Sequence, residues 1–177
     1  MKVRIRTASP TDSPTLMHIE HSCRAAALFL PPELRDPGQF RPRNWRAWLN
    51  CAPPFDRHPT RRTAFVAFEH SDILGFVSVM HDSLFGGYRA DIAGLFVLPR
   101  YRREGIGGTL LIAAARWLQE DGITRVTADC YAKDPTRSFF DRLGGVVIAS
   151  TSDDTNPAAI ITYGFANLKE LAAKTDR

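Results

Sequence analysis

Two arginines running straight into a glycine cluster mark where this 177-residue chain could do chemistry: Arg102-Arg103-Glu104-Gly105-Ile106-Gly107-Gly108-Thr109. Upstream is an apolar run stopped by a proline, Leu95-Phe96-Val97-Leu98-Pro99. Downstream, Leu110, Leu111, Ala114, Ala115 and Leu118 recur with helical period. Glycines at a helix start let the backbone approach a ligand with no Cβ in the way. The first amides of that helix have no partners inside it and face outward with the positive end of its dipole. Strand, stop, basic pair, glycines and helix together make an anion site suited to phosphate or pyrophosphate, with Arg102 and Arg103 adding fixed charge. A Walker loop is excluded, because Gly107 is followed by Gly108-Thr109 and no lysine. A Rossmann fingerprint from Gly105 would want a small residue where Leu110 stands, and would follow the first strand of a parallel sheet.

The elements that must position this loop follow from periodicity. Lys2 to Thr7 alternates as a half-buried strand, and Ser9-Pro10-Thr11-Asp12 caps a helix carrying Leu16, Ile19 and Cys23. From Pro31 to Pro59 prolines interrupt the chain, and Trp45, Trp48 and Leu49 form at most one short amphipathic helix. The two tryptophans are read as core packing or as a lid over a substrate cleft. Thr63–Phe68 and Ile73–Met80 form a hairpin, and a third run, Tyr88–Leu98, completes an antiparallel meander. The helix of Gly105–Asp121 and a strand over Ile123–Cys130 make a crossover with a parallel pair. A helix starts near Pro135 and ends at Leu143-Gly144-Gly145. Two strands, Val146–Ser150 and Ala158–Phe165, and a helical tail from Asn167 close the chain. The fold class is α/β: one mixed, mostly antiparallel sheet of about seven strands with a parallel pair, flanked by helices.

Composition narrows the function. Hydrophobic residues make up 44% and charged residues 24%, enough for one buried core over residues 1–177. No segment approaches the ~20 apolar residues that span a bilayer, and the N-terminus lacks a signal peptide's apolar stretch. The net charge of +4 is spread along the chain with no basic run interleaved with aromatics, so neither nucleic acid nor membrane is expected as a partner. Three cysteines, Cys23, Cys51 and Cys130, form no CxxC pair, which argues for a reducing cytoplasm and against a metal site.

Arg102-Arg103-Glu104-Gly105-Ile106-Gly107 meets the signature Arg/Gln-x-x-Gly-x-Gly/Ala, and here the chain resembles the GNAT superfamily of N-acetyltransferases. Ile5-Arg6-Thr7-Ala8 with Asp12 looks like that family's first strand and turn. Leu95 to Pro99 looks like its splayed fourth strand, and Ser138-Phe139-Phe140-Asp141-Arg142-Leu143-Gly144-Gly145 like its second ligand-binding helix. The resemblance implies a GNAT fold with acetyl-CoA as cosubstrate and no metal, held by residues 88–145, with residues 10–60 as the variable acceptor side. Backbone groups of Phe96 and Val97 would pair with the pantetheine amides, as an added strand pairs with an edge. Amides from Arg102 through Thr109, including those of Gly105, Ile106, Gly107 and Gly108, would hold the pyrophosphate. The helix of residues 135–143 would flank the thioester, and Asp134 and Phe139 would be among the residues that bind the coenzyme.

The implied reaction is direct transfer of acetyl to a primary amine of a small molecule. Such an amine has a pKa near ~10.4, so a general base is wanted. Asp91 is the first candidate, since a glutamate holds the matching place in several members of the superfamily; Glu20 and His21 are further candidates. The amide of Val97 or Leu98 would serve the thioester oxygen. The family's thiolate-protonating tyrosine is matched here by Phe140, leaving Ser138, Tyr131 and Tyr163 as stand-ins. Lys133 or Asp134 stands where the family often has asparagine. The resemblance allows a homodimer. A protein N-terminus or lysine as acceptor, and a non-catalytic acyl-CoA-binding module, are the competing readings.

Overall fold

Strand alternation and two apolar helix faces account for the architecture of the computed structural model, which describes residues 2–35, 43–50, 61–83, 85–151, 156 and 158–175. Much of the proline-rich stretch, 36–42 and 51–60, lies outside the described residues, as does Cys51. Seven strands form one sheet: β1 Arg4–Thr7, β2 Arg62–Glu69, β3 Asp72–Met80, β4 Ala90–Val97, β5 Val126–Tyr131, β6 Val146–Ser150 and β7 Ile160–Phe165. Their order across it is β1-β2-β3-β4-β5-β7-β6, with every neighbouring pair antiparallel except β4 and β5. The expected meander and parallel crossover are both present. The last strand of the chain, β7, lies inside the sheet next to β5 and leaves β6 at the edge.

The helices are α1 Ser13–Ala25, α2 Pro32–Arg35, α3 Trp45–Leu49, α4 Ile106–Glu120, α5 Arg137–Arg142 and α6 Leu168–Thr175. The short α2 inside the proline stretch is not legible from periodicity, since one turn has no period to read. α4 carries Ile106, Leu110, Leu111, Ala114, Ala115 and Leu118 on one buried stripe and packs them onto β2, β3 and β4. α5 closes the same face with Phe140 and Leu143 against Tyr163 and Phe165. The opposite face is covered by Leu16, Ile19 and Cys23 of α1 and by Trp45 and Trp48 of α3, packed on Val66 and Phe76. The two tryptophans are therefore core residues, edge-on to one another at 6.0 Å, with Trp45 also edge-on to Phe76 at 4.8 Å.

One irregularity in β4 decides the geometry of the site. Val79 faces Ile92 but Ser78 faces Gly94, so β4 carries one extra residue, Ala93. Such a bulge reverses which residues face which side. Before it, Ala90 and Ile92 point into the α4 layer; beyond it, Leu95 and Val97 do, while Phe96 and Leu98 join the α1–α3 layer. Asp91, on the alternate side from Ala90 and Ile92, thus shares a face with Phe96.

Candidate active site

β4 and β5 pair only at Ala90 with Val126, Asp91 with Thr127 and Ile92 with Ala128. Beyond these rungs the strands part, and a cleft of about 890 Å³ opens between them. Along β4, Leu98 donates its amide to the Leu74 carbonyl at 3.0 Å. By antiparallel alternation Phe96 is bonded to β3 in the same way, and the backbone groups of Val97 point into the opening. The Val97 carbonyl accepts there from Arg102 Nε at 3.1 Å and from Cys23 Sγ at 3.3 Å. Burial pushes the Cys23 thiol above its ordinary range, although Arg102 lies beside it.

The loop after β4 leads into α4 with its first amides turned outward. Pro99–Tyr101 makes a 3-10 turn, closed by the Arg102 amide on the Pro99 carbonyl at 3.3 Å. Arg103 then turns left-handed at φ 68°, and Gly105 at φ 77° caps α4. A left-handed non-glycine residue costs ~1–2 kcal/mol, which the fold accepts at Arg103 to aim the following amides. The first helical bond runs from Thr109 to Gly105 at 3.1 Å, so the amides of Ile106, Gly107 and Gly108 precede it and open on the cleft. A Cβ on Gly107 would meet Phe139 at 3.8 Å and Leu95 at 4.0 Å, both ordinary contacts. Internal packing therefore does not require glycine here, and the backbone is left bare towards the cleft.

Arg102, Arg103, Gly105, Ile106, Gly107, Gly108, Phe96, Val97, Asp134, Ser138 and Phe139, all expected from sequence, line this one cleft. The structure differs from expectation at three donor-side positions. Thr109 is turned out, with its amide and hydroxyl both on the Gly105 carbonyl, so it offers the ligand nothing. Phe96 presents its ring and not its backbone, because its amide and carbonyl face β3. The Leu98 amide, bonded to Leu74, is removed as an oxyanion donor, which leaves Val97. Of the pair Lys133 and Asp134, the cleft takes Asp134, whose Oδ1 accepts from the Thr136 amide at 2.8 Å.

The acceptor side has its own chemistry. Asp91 sits at the base of the opening, one residue below the lining, and its carboxylate accepts from Thr127 at 2.7 Å. Burial raises its pKa to about 6; the Thr127 hydroxyl pulls it down, Asp129 pushes it up and Arg43 pulls it down again. Asp129, two residues along β5 from Thr127, faces the cleft and accepts from Thr162 at 2.6 Å. Sequence reading passed over Asp129; the signal was a carboxylate inside an otherwise buried strand, on the same alternation as Thr127. Glu20 is buried and bonded to Trp45 Nε1 at 2.9 Å and Arg24 at 3.2 Å, so it is not poised as a base. His21 lies outside the cleft lining.

Among the stand-ins for a proton donor, Tyr131 lines the cleft and its hydroxyl accepts from Arg24 at 3.2 Å, leaving the phenolic proton free to face the opening. Ser138 donates its hydroxyl to the Pro135 carbonyl at 3.0 Å. Tyr163 is fully buried beyond Phe140 and donates to Asp141 at 2.8 Å.

A family model, the acetyltransferase (GNAT) family, matches residues 21–145. The chain belongs to the acetyltransferase (GNAT) family. Solved structures share the fold over nearly the whole chain. An N-acetyltransferase from Staphylococcus aureus Mu50 superposes with TM-score 0.70 at 16% identity, covering 95% of this chain and 99% of that one. The yncA protein of Salmonella typhimurium, solved with its cofactor acetyl-CoA, gives TM-score 0.68 at 16% identity and 93% coverage of both chains. The paia N-acetyltransferase of Thermoplasma acidophilum, in complex with coenzyme A, gives 0.64 at 19% identity, with 92% and 98% covered. No curated protein matches the sequence significantly. Among the described residues no group of side chains could hold a metal ion, and no helix is long and apolar enough to cross a membrane.

Proposed function

We propose that the protein transfers acetyl from acetyl-CoA directly to the primary amine of a small molecule. The observation that carries this reading is the gap past Ile92 and Ala128, where the outward-facing Val97 backbone and the open amides of Ile106, Gly107 and Gly108 meet in one cleft. The coenzyme pyrophosphate lies on those amides with Arg102 and Arg103 beside it, and the pantetheine runs along Val97 as an added strand. Asp129 receives the ammonium form of the acceptor. Asp91, poised near pH 6, takes the proton directly or through one water, freeing the lone pair to attack the thioester carbon. The Val97 amide steadies the oxygen of the tetrahedral intermediate, and Tyr131 protonates the departing thiolate. Ser138, tied to Pro135, is the weaker donor.

Residues 1–177 act as one domain, with 88–145 holding the donor and the region 10–60 shaping the acceptor side. We place the protein in the cytoplasm, where its donor is made and where the buried free thiols Cys23 and Cys130 stay reduced. The test is amine-dependent thiol release from acetyl-CoA, beside calorimetric binding of the same donor. Binding without release by any amine overturns the enzyme reading in favour of an acyl-CoA-binding module.

A further inference from the structure

The acceptor face holds a cation that the transfer chemistry above does not use. Arg43 is half-buried, with its guanidinium 4.3 Å from the centre of the Trp48 ring and 5.2 Å from that of Trp45. Among the described residues its one hydrogen bond is a long one, Nη1 to the Ala93 carbonyl at 3.5 Å. Among the described residues no carboxylate lies within ion-pair distance of it. The charged groups that surround Arg43 are Glu20 and Asp91, which attract it, and Arg24 and Arg62, which repel it. Glu20 is engaged with Arg24 and Trp45, and Asp91 with Thr127. Arg62 is committed elsewhere, its Nε on the Trp48 carbonyl at 2.9 Å and its guanidinium stacked on the same indole. Arg43 lies behind the cleft wall at Ala93, and a half-buried guanidinium with no carboxylate partner among the described residues is suited to a planar carboxylate, which it can hold with two parallel hydrogen bonds.

Position turns this into a statement about the acceptor. Ala93 is the bulge residue of β4 and part of the cleft wall, two residues beyond Asp91 on the same strand. Asp91 feels the charge of both Arg43 and Asp129, so a ligand whose anionic end reaches Arg43 has its amine drawn towards the two carboxylates. We propose that the acceptor carries its own carboxylate: it is an amino acid, held with its carboxylate on Arg43 and its amine towards Asp91 and Asp129. This rests on the transfer reading above and narrows it to a substrate class.

The test is thiol release from acetyl-CoA by the full chain, with each protein amino acid set beside the amine made by removing its carboxylate. At least one amino acid is expected to drive release with kcat/KM roughly 10- to 100-fold above its decarboxylated partner, the scale of one charge-assisted bond, read mainly in KM. Arg43→Gln should bring that ratio to within about threefold, and Arg43→Lys, which keeps the charge and loses the fork, should restore part of it. Calorimetric binding of acetyl-CoA reports whether each variant is folded, and the comparison on the natural protein decides alone if neither is. Decarboxylated amines used as well as their amino acids, or a ratio that survives in a folded Arg43→Gln protein, overturn the inference and leave the transferase intact. Release by no amine at all overturns the transferase reading, and this one with it.

Discussion

Thr127 donates its hydroxyl to Asp91 Oδ1 at 2.7 Å across the middle rung of the parallel β4–β5 junction. The bond favours the ionised carboxylate, while burial opposes it and wins, leaving a pKa of about 6. The acid limb of kcat/KM should therefore fall near pH 6, with activity lost as Asp91 gains its proton. Thr127→Val removes a bond to the charged form, so the limb should move to higher pH. Asp91→Asn should abolish it and lower kcat by ~10²-fold or more. A pH–rate profile of the three proteins at saturating acetyl-CoA checks all three outcomes.

The same carboxylate should weigh on stability with the opposite sign to most acids. Its folded pKa lies above its unfolded value of about 3.9, so the native state binds the proton more tightly and stability declines as pH rises from about 4 to about 6. At pH 7 Asp91→Asn should be more stable than the natural protein by about 1–3 kcal/mol while being the poorer catalyst. Urea unfolding at pH 7 and pH 4 measures this, and the gain should disappear at the lower pH.

Gly107 separates ligand demand from packing demand. Since a Cβ there meets nothing closer than 3.8 Å, Gly107→Ala should keep or raise the melting temperature, as alanine is the better helix former by ~1 kcal/mol. Gly107→Val should fold as well and weaken acetyl-CoA binding by at least ~10-fold, about 1.4 kcal/mol. Calorimetry paired with thermal melts tests the dissociation of the two effects.

For the leaving thiolate, Tyr131→Phe should lower kcat by about 10- to 100-fold, and Ser138→Ala should stay within a fewfold, because a thiol is a good leaving group and Ser138 is engaged with Pro135. Steady-state kinetics of the two variants side by side, with coenzyme affinity measured for each, ranks the donors. A larger loss in Ser138→Ala would exchange their roles.

Away from the cleft, Arg6 grips both oxygens of Asp12 at 2.7 and 2.9 Å, and the Ser9 amide donates to the same carboxylate at 2.7 Å. The Arg6 guanidinium chiefly, helped by Ser9, holds the Asp12 pKa down at about 2 against the pull of burial. A depressed acid contributes stability above its unfolded pKa and loses it as pH falls through the folded one. Arg6 is 42% exposed, so the contribution is discounted for solvent to about 1–2 kcal/mol. Asp12→Asn should be destabilised by that amount at pH 7, with the difference closing between pH 4 and pH 2 in denaturant titrations.

What could be read from the sequence was what short segments decide for themselves. Pro99 stops β4 and Gly105 caps α4 through their own backbone preferences, so the turn and helix start after β4 are legible without any tertiary contact. The register of the acceptor side was not, because it is set by partners far along the chain. Asp91 meets Thr127 only through the crossover, and Asp129 meets Thr162 only because β7 inserts beside β5. The inserted Ala93 has no signature of its own, yet it turns the Phe96 backbone away from the cleft and its ring towards α1. Phe140 stands where the family resemblance puts a tyrosine, and its ring belongs to the core with Tyr163 at 5.4 Å and Phe165 at 5.9 Å.

Only three residue pairs join β4 to β5, and that has a mechanical consequence. The sheet is two separately knit antiparallel ribbons, β1 to β4 and β5-β7-β6, sewn together along a seam one short stitch long. Local opening should begin at this seam, where few backbone bonds must break, well before either ribbon loosens. Amides of Ile92 and Thr127, which by strand alternation face the seam, should then exchange with solvent sooner than those of β3 or β7 in the free protein. A donor laid along Val97 adds rungs where the strands have parted. It should slow that exchange across the seam and stiffen the two ribbons into one body.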